Sequence, residues 1–291
     1  MERAVVVGNC QAKALELLLN TNEAFAARFE FVSFPAVHEI PDELVPELHR
    51  AVAGAALLIV QRVDEGYRDG VGLGTETLAR VAGGAMVLRW PSVYWAGYVP
   101  DLFYLRDAAG GPVVDGPFDY HDRVILEAYA AGEDVARTCA LLADPERPSG
   151  AAAWAAQATA ELDVRGRDCQ IQVASYIAER FREQLLFFTM NHPANQLLGH
   201  MAQQVVQLLA LPGRVDVGCF VEEVLGSTFY PLHVNHVRAL GLTFGAGHQA
   251  GTCPFKIRGV AYEAPAAVAA FFDYYAAHPQ LVELNLAAVA P

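Results

Sequence analysis

Short, uninterrupted apolar runs alternate with stretches of helical apolar spacing along the first third of this chain, and that alternation admits few folds. Ala4-Val5-Val6-Val7 is one such run and ends at Gly8, after which residues 12–20 carry apolar side chains at helical spacing. The segment reads as strand, tight turn, helix. Phe29 to Phe34 predicts a second strand, Asp42 to Val52 a helix with Pro46 near its start, and Ala56 to Val60 a third strand. Thr75 to Ala82 predicts a helix and Ala85 to Leu88 a fourth strand. Strands that are apolar throughout, rather than at alternate positions, are buried on both faces, as in a parallel sheet covered by helices. The expected fold is therefore α/β, with a mainly parallel sheet and flanking helices. Functional residues in such sheets lie beyond the carboxyl ends of the strands.

From about residue 120 the pattern turns helical: Asp122 to Gly132, Asp134 to Ala143, Ala151 to Asp163, Gln170 to Gln184, Asn195 to Leu211 and Pro265 to His278. Gly110-Gly111 and Pro148-Ser149-Gly150 are weak boundary signals, and no repeat or low-complexity linker is present. The chain reads as a single domain over 1–291, with a mostly helical elaboration around 120–185.

Composition narrows the function. The chain is 54% hydrophobic and 18% charged, yet no apolar run reaches the length of a membrane span. Its N-terminus lacks the h-region of a secretory signal, which predicts a cytoplasmic address. A net charge of −13 argues against general nucleic-acid or anionic-membrane binding, which needs clustered Lys and Arg. The five cysteines (Cys10, Cys139, Cys169, Cys219, Cys253) are scattered without close pairs, so neither a disulfide framework nor a metal site is expected.

The first strand ends in Gly8-Asn9-Cys10-Gln11. A cysteine between a strand end and a helix N-terminus sits where unpaired backbone N–H groups and the helix dipole favour thiolate and can stabilise an oxyanion. Cys10 is the candidate nucleophile. The plainer alternative is a small buried residue, since free cysteine is among the most buried types. A base is offered by the segment from Phe187 to Asn195, where His192 stands between an apolar stretch and a new helix, with Pro193 fixing the turn. A structural histidine is the alternative there.

Together these motifs resemble a known family. Gly8-Asn9-Cys10-Gln11, Gln61, Trp90-Pro91-Ser92, Gly97 to Asp101, Tyr120-His121-Asp122 and Asn191-His192-Pro193 are similar to the WcbI-type polysaccharide (capsule) biosynthesis proteins, taken to be acetyltransferases that bind coenzyme A. The resemblance implies an SGNH/flavodoxin-like three-layer core, with Cys10 where SGNH hydrolases carry serine and His192 in the histidine's role. The hydrolase pattern has an acidic residue three positions before the histidine, whereas here that position is Thr189. A Cys-His dyad is therefore expected rather than a triad.

Around the dyad, the N–H of Gln11 and the side chains of Asn9, Gln61 and Asn191 are candidates for oxyanion stabilisation or positioning, with ordinary loop hydrogen bonding as the alternative. Arg62, Tyr67, Arg68 and Arg89 follow sheet strands and are candidates for coenzyme A phosphates. Trp90 and Tyr98 are candidates for stacking on adenine or a sugar, although core packing explains them equally well. Asp122 is read chiefly as a helix N-cap. The expected activity is acyl transfer from acetyl-CoA to a saccharide hydroxyl, with no metal. The competing readings are a thiol esterase or thioesterase using the same dyad, and a non-catalytic nucleotide- or glycan-binding module.

Overall fold

The computed structural model describes residues 1–113 and 118–289. Its first third is the expected parallel sheet. In chain order the elements are β1 (Glu2–Val7), α1 (Cys10–Leu19), α2 (Glu23–Arg28), β2 (Phe29–Phe31), α3 (Val45–Ala53), β3 (Leu57–Gln61), α4 (Thr75–Val81) and β4 (Met86–Trp90). All strand pairs are parallel and the order is β2-β1-β3-β4. The remainder is mostly helical: β5 (Leu102–Phe103), β6 (His121–Asp122), α5 (Arg123–Ala130), α6 (Val135–Leu142), α7 (Ala151–Gly166), α8 (Ala174–Arg180), α9 (Asn195–Leu208), α10 (Val234–Leu240), β7 (Phe255–Ile257), β8 (Val260–Tyr262), α11 (Ala264–Ala277) and α12 (Pro279–Val289). Among the described residues no helix is long and apolar enough to cross a membrane.

The chain groups into two compact units. One comprises Met1–Tyr94, Thr159–Arg180 and His192–Leu225; the other comprises Trp95–Ala158, Phe181–Asn191 and Gly226–Pro291.

In the first unit, strand alternation divides the sheet residues between two layers. Val5, Val7, Leu58 and Val60 pack with Val45, Leu48 and Val52 of α3 and with Leu78 of α4. Ala4, Val6, Leu57 and Ile59 are equally buried and point to the opposite face, where α1 packs on β1 and α9 packs on α1. Each fully buried Val, Leu or Ile stabilises the fold by about 1.5–3 kcal/mol relative to exposure. The segments that follow α1 and α9 are joined: Asn22 Nδ2 donates to the Pro212 carbonyl at 3.1 Å, and the Asp216 N–H donates to Thr21 Oγ1 at 2.9 Å.

Two expected elements come out differently. The helix expected over Gln170–Gln184 is confined to α8, because Gln170 and Ile171 lie along β4 instead: the Arg89 N–H donates to Gln170 Oε1 and the Ile171 N–H to the Arg89 carbonyl. Those bonds satisfy backbone groups on an edge strand. The strand expected over Phe29–Phe34 stops at Phe31, and α2 precedes it, capped by Asn22 Oδ1 accepting the Phe25 N–H at 2.8 Å.

The second unit is built on aromatic packing. Phe118 stacks on Phe271 with ring centroids 3.8 Å apart, and His121 packs among Phe271, Tyr274 and Tyr275. Burial disfavours the imidazolium and pushes the pKa of His121 down to about 3. Asp122 caps α5 as expected, accepting the N–H groups of Val124 and Ile125.

Candidate active site

The sheet order makes the chain leave β1 toward one edge, for β2, and return on the other side, for β3. The carboxyl ends of β1 and β3 are therefore a topological switch point, where a crevice opens in sheets of this class. Gly8-Asn9-Cys10-Gln11 and Gln61 stand at those two ends. Gly8 is required by packing: a Cβ at this position would lie 2.6 Å from Trp90 Cζ2.

Asn9 caps α1, its Oδ1 accepting the Gln11 N–H at 3.0 Å. Its own N–H donates to Gln61 Oε1 at 2.7 Å. The Gln11 side chain is buried and its Nε2 donates to the Val93 carbonyl at 2.8 Å. Asn9, Gln11 and Gln61 thus form a hydrogen-bonded frame that fixes the first turn of α1, and the Gln11 N–H is already engaged by its cap.

Cys10 is the first residue of that helix and is part-exposed. The expectation that the helix end lowers its pKa is corrected by the structure. Burial dominates and pushes the thiol up to about 11, although the backbone N–H groups of Cys10 and Gln11 favour the thiolate. At neutral pH Cys10 is a thiol, so it needs a base to act as a nucleophile.

Cys10 opens on a cleft of about 480 Å³ whose other walls include Lys13, Ser33, Phe34, His38 and Glu39. Lys13 and Ser33 are tied together by Glu16, which accepts from Lys13 Nζ at 2.8 Å and from Ser33 Oγ at 2.6 Å. Sequence reasoning misses these residues. The available signal is Lys13, three residues after Cys10 and hence on the same face of α1; nothing in the sequence brings Ser33 or His38 to that face.

His192 is half-buried and precedes Pro193, Ala194 and the start of α9. His192 is not among the residues that line the Cys10 cleft. Asn195 is the first residue of α9; its Oδ1 accepts the Val224 N–H and its Nδ2 donates to the Glu222 carbonyl. In the second unit Asn191 is held by three side chains: Tyr120 Oη donates to Asn191 Oδ1 at 2.6 Å, Thr189 Oγ1 at 3.1 Å, and Asn191 Nδ2 donates to Tyr104 Oη at 3.2 Å. Asn191 thereby anchors the chain just before His192.

The ligand-binding candidates separate. Arg62 lies 3.5 Å from Asp168 and lines a cleft of about 390 Å³ with Thr75, Ser92 and Arg165. Arg165 also holds the segment after β4, donating to the Ser92 and Tyr94 carbonyls at 2.8 Å. Arg89 pairs with Glu76 at 3.2 Å. Arg68 is engaged by the Ile40 carbonyl and Asp42, and Tyr67 packs against the α3–α4 core, so both fasten a loop. Trp90 and Tyr98 are corrected as stacking platforms: they are 0% and 1% exposed. The Tyr98 hydroxyl lies within hydrogen-bonding reach of the Phe181 and Gln184 carbonyls, at 2.6 and 2.8 Å. No ligand ring can reach a side chain buried to that degree.

Comparison with known proteins bears on the family and the fold. A family model described as polysaccharide biosynthesis enzyme WcbI matches residues 3–214. A solved structure of WcbI has the same fold, with a TM-score of 0.76 and 22% identity over 97% of each chain. It is described as a novel polysaccharide biosynthesis enzyme, in the native form without a disulfide bond between coenzyme A and one of its cysteines. No curated protein matches the chain.

Proposed function

The chain belongs to the WcbI family of polysaccharide biosynthesis enzymes, and from that premise we propose that it transfers an acyl group from a coenzyme A thioester to a saccharide hydroxyl at Cys10. The observation that carries the reading is the placement of Cys10, on the first turn of α1 at the β1/β3 switch point and open to a cleft. The mention of coenzyme A beside a cysteine in the WcbI structure supports the same reading.

The raised thiol pKa dictates the order of proton transfers. His192 accepts the Cys10 proton as Sγ attacks the thioester carbonyl, and the N–H of Cys10 together with the end of α1 stabilises the oxyanion. The intermediate collapses as the C–S bond to coenzyme A breaks, and the leaving thiolate takes the proton from His192. His192 then accepts a proton from the saccharide hydroxyl, whose oxygen attacks the acyl carbonyl, and returns it to Cys10 as the new ester is released. Arg62, half-exposed, exchanges the solvent-screened Asp168 for a phosphate of coenzyme A. A cytoplasmic address belongs to the same reading, since acyl-CoA thioesters are intracellular donors.

A thermal-shift titration with coenzyme A and with acetyl-CoA tests the donor class, since a ligand that binds only the folded state raises Tm with concentration. A saturable rise that Arg62→Ala weakens is expected. No shift at millimolar ligand would overturn the proposal.

A further inference from the structure

The cysteines offer no metal-ligand spacing, but a different set of donors converges in the second unit. Asp101 Oδ2 lies 3.2 Å from His233 Nδ1 and 3.2 Å from His236 Nε2, and the three atoms all lie within 4.8 Å of one another. All three residues are buried, at 6%, 5% and 3% exposure. Tetrahedral ligands about 2.0–2.1 Å from a zinc ion stand about 3.3 Å apart. The two separations to Asp101 therefore match that spacing, and the two histidine nitrogens lie within 4.8 Å of each other. The sequence signal for it is His233-x-x-His236, one turn apart at the start of α10.

The surroundings carry two further marks of such a site. A ligating histidine usually donates its other ring N–H to a carboxylate, which fixes the tautomer; here His233 Nε2 donates to Asp122 Oδ2 at 2.7 Å, which makes Nδ1 the ring nitrogen that faces Asp101 and Arg147. Asp101 Oδ1 is held by Arg123 at 2.6 Å, while the buried Asp101 Oδ2 faces His233, His236 and Arg147 at 3.2, 3.2 and 3.5 Å. These residues also line a cavity of about 10 Å³ with Val99, Leu102 and Tyr230, close to the room one water needs.

One group competes for the position. Arg147 Nη2 lies 2.7 Å from His233 Nδ1 and 3.5 Å from Asp101 Oδ2. It is a poorly housed occupant: its Nε is buried without a hydrogen-bond partner. Its backbone is held independently, Asn235 Nδ2 donating to the Arg147 and Pro148 carbonyls, so the side chain can leave without moving the loop. With a side chain 21% exposed, Arg147 also marks the route to solvent.

We propose that Asp101, His233 and His236 bind a divalent cation of the zinc type, with Asp122 orienting His233, Arg147 displaced on binding, and a fourth position left for water. The proposal does not depend on the acyl-transfer reading.

The test is titration of the chelator-treated full chain with Zn²⁺, followed by Tm, and with Co²⁺, followed by the visible absorption of a tetrahedral site. Saturable binding is expected for the wild type and lost in His236→Gln. Asp122→Asn, which keeps the helix cap, should weaken binding by about 10–100-fold. Arg147→Gln keeps all three ligands and removes the competing cation, so it should bind more tightly than wild type; it also provides the test if His236→Gln fails to fold. Absence of binding in both wild type and Arg147→Gln, or binding that persists undiminished in His236→Gln, would identify the cluster as an ion-pair network and overturn the proposal.

Discussion

The backbone N–H of Asn9 donates to Oε1 of Gln61 at 2.7 Å, joining the loop after β1 to the last residue of β3. Those two strand ends define the switch point, so this single bond sets the position of Cys10 relative to the sheet.

Gln61→Leu leaves the Asn9 N–H without its acceptor while keeping a side chain of similar size. Unfolding by denaturant should show a loss of about 1–3 kcal/mol, the cost of an unmade buried hydrogen bond. Activity should fall further than stability requires, because the first turn of α1 is no longer fixed.

Gly8→Ala forces a methyl group against Trp90, which is fully buried. Overpacking of this kind costs about 1–3 kcal/mol. Trp90→Phe, introduced in the same chain, should recover part of the loss in Tm by removing the ring atom that clashes; an additive loss would contradict the contact.

Cys10 should alkylate slowly at neutral pH, its rate with iodoacetamide rising steadily toward pH 11 rather than levelling near 9. The folded state keeps this proton longer than the unfolded chain, whose thiol titrates near 9.0. Stability from this group is therefore complete below pH 9 and falls as pH rises from about 9 to 11. A plateau at neutral pH in the free enzyme would contradict the burial argument.

His121 works in the opposite direction. Its pKa is held down to about 3 against 6.5 for an ordinary histidine, so stability present above pH 6.5 is lost as pH falls toward 3. His121→Phe should remove that acid-side decline, measured as Tm across the range, at some cost for the lost contact with the Tyr275 hydroxyl.

The parallel sheet was legible because β1 and β3 are continuous apolar runs, and the Cys10 loop because Gly8 and Asn9 punctuate the strand-to-helix turn. Long-range placement was not. Nothing local marks that Gln170 and Ile171 line the edge of β4 in place of a helical turn, or that Ser33 and His38 share the Cys10 cleft. Trp90 and Tyr98 fit both stacking and core positions by composition, and only their burial decides for the core. The elevated Cys10 pKa was likewise hidden, because the sequence displays the favourable helix end but not the apolar surroundings that outweigh it.

His192→Gln should lower acyl transfer by about 10²–10⁴-fold, the usual contribution of a general base, while the Tm rise with coenzyme A is retained. Loss of both together would make His192 a structural residue.

The most direct measurement is rapid-quench intact mass after mixing the full chain with acetyl-CoA and no acceptor. The account predicts a gain of one acetyl group that maps to Cys10, is absent in Cys10→Ala and forms slowly in His192→Gln. An unchanged mass, with coenzyme A released equally fast by wild type and Cys10→Ala, would contradict it.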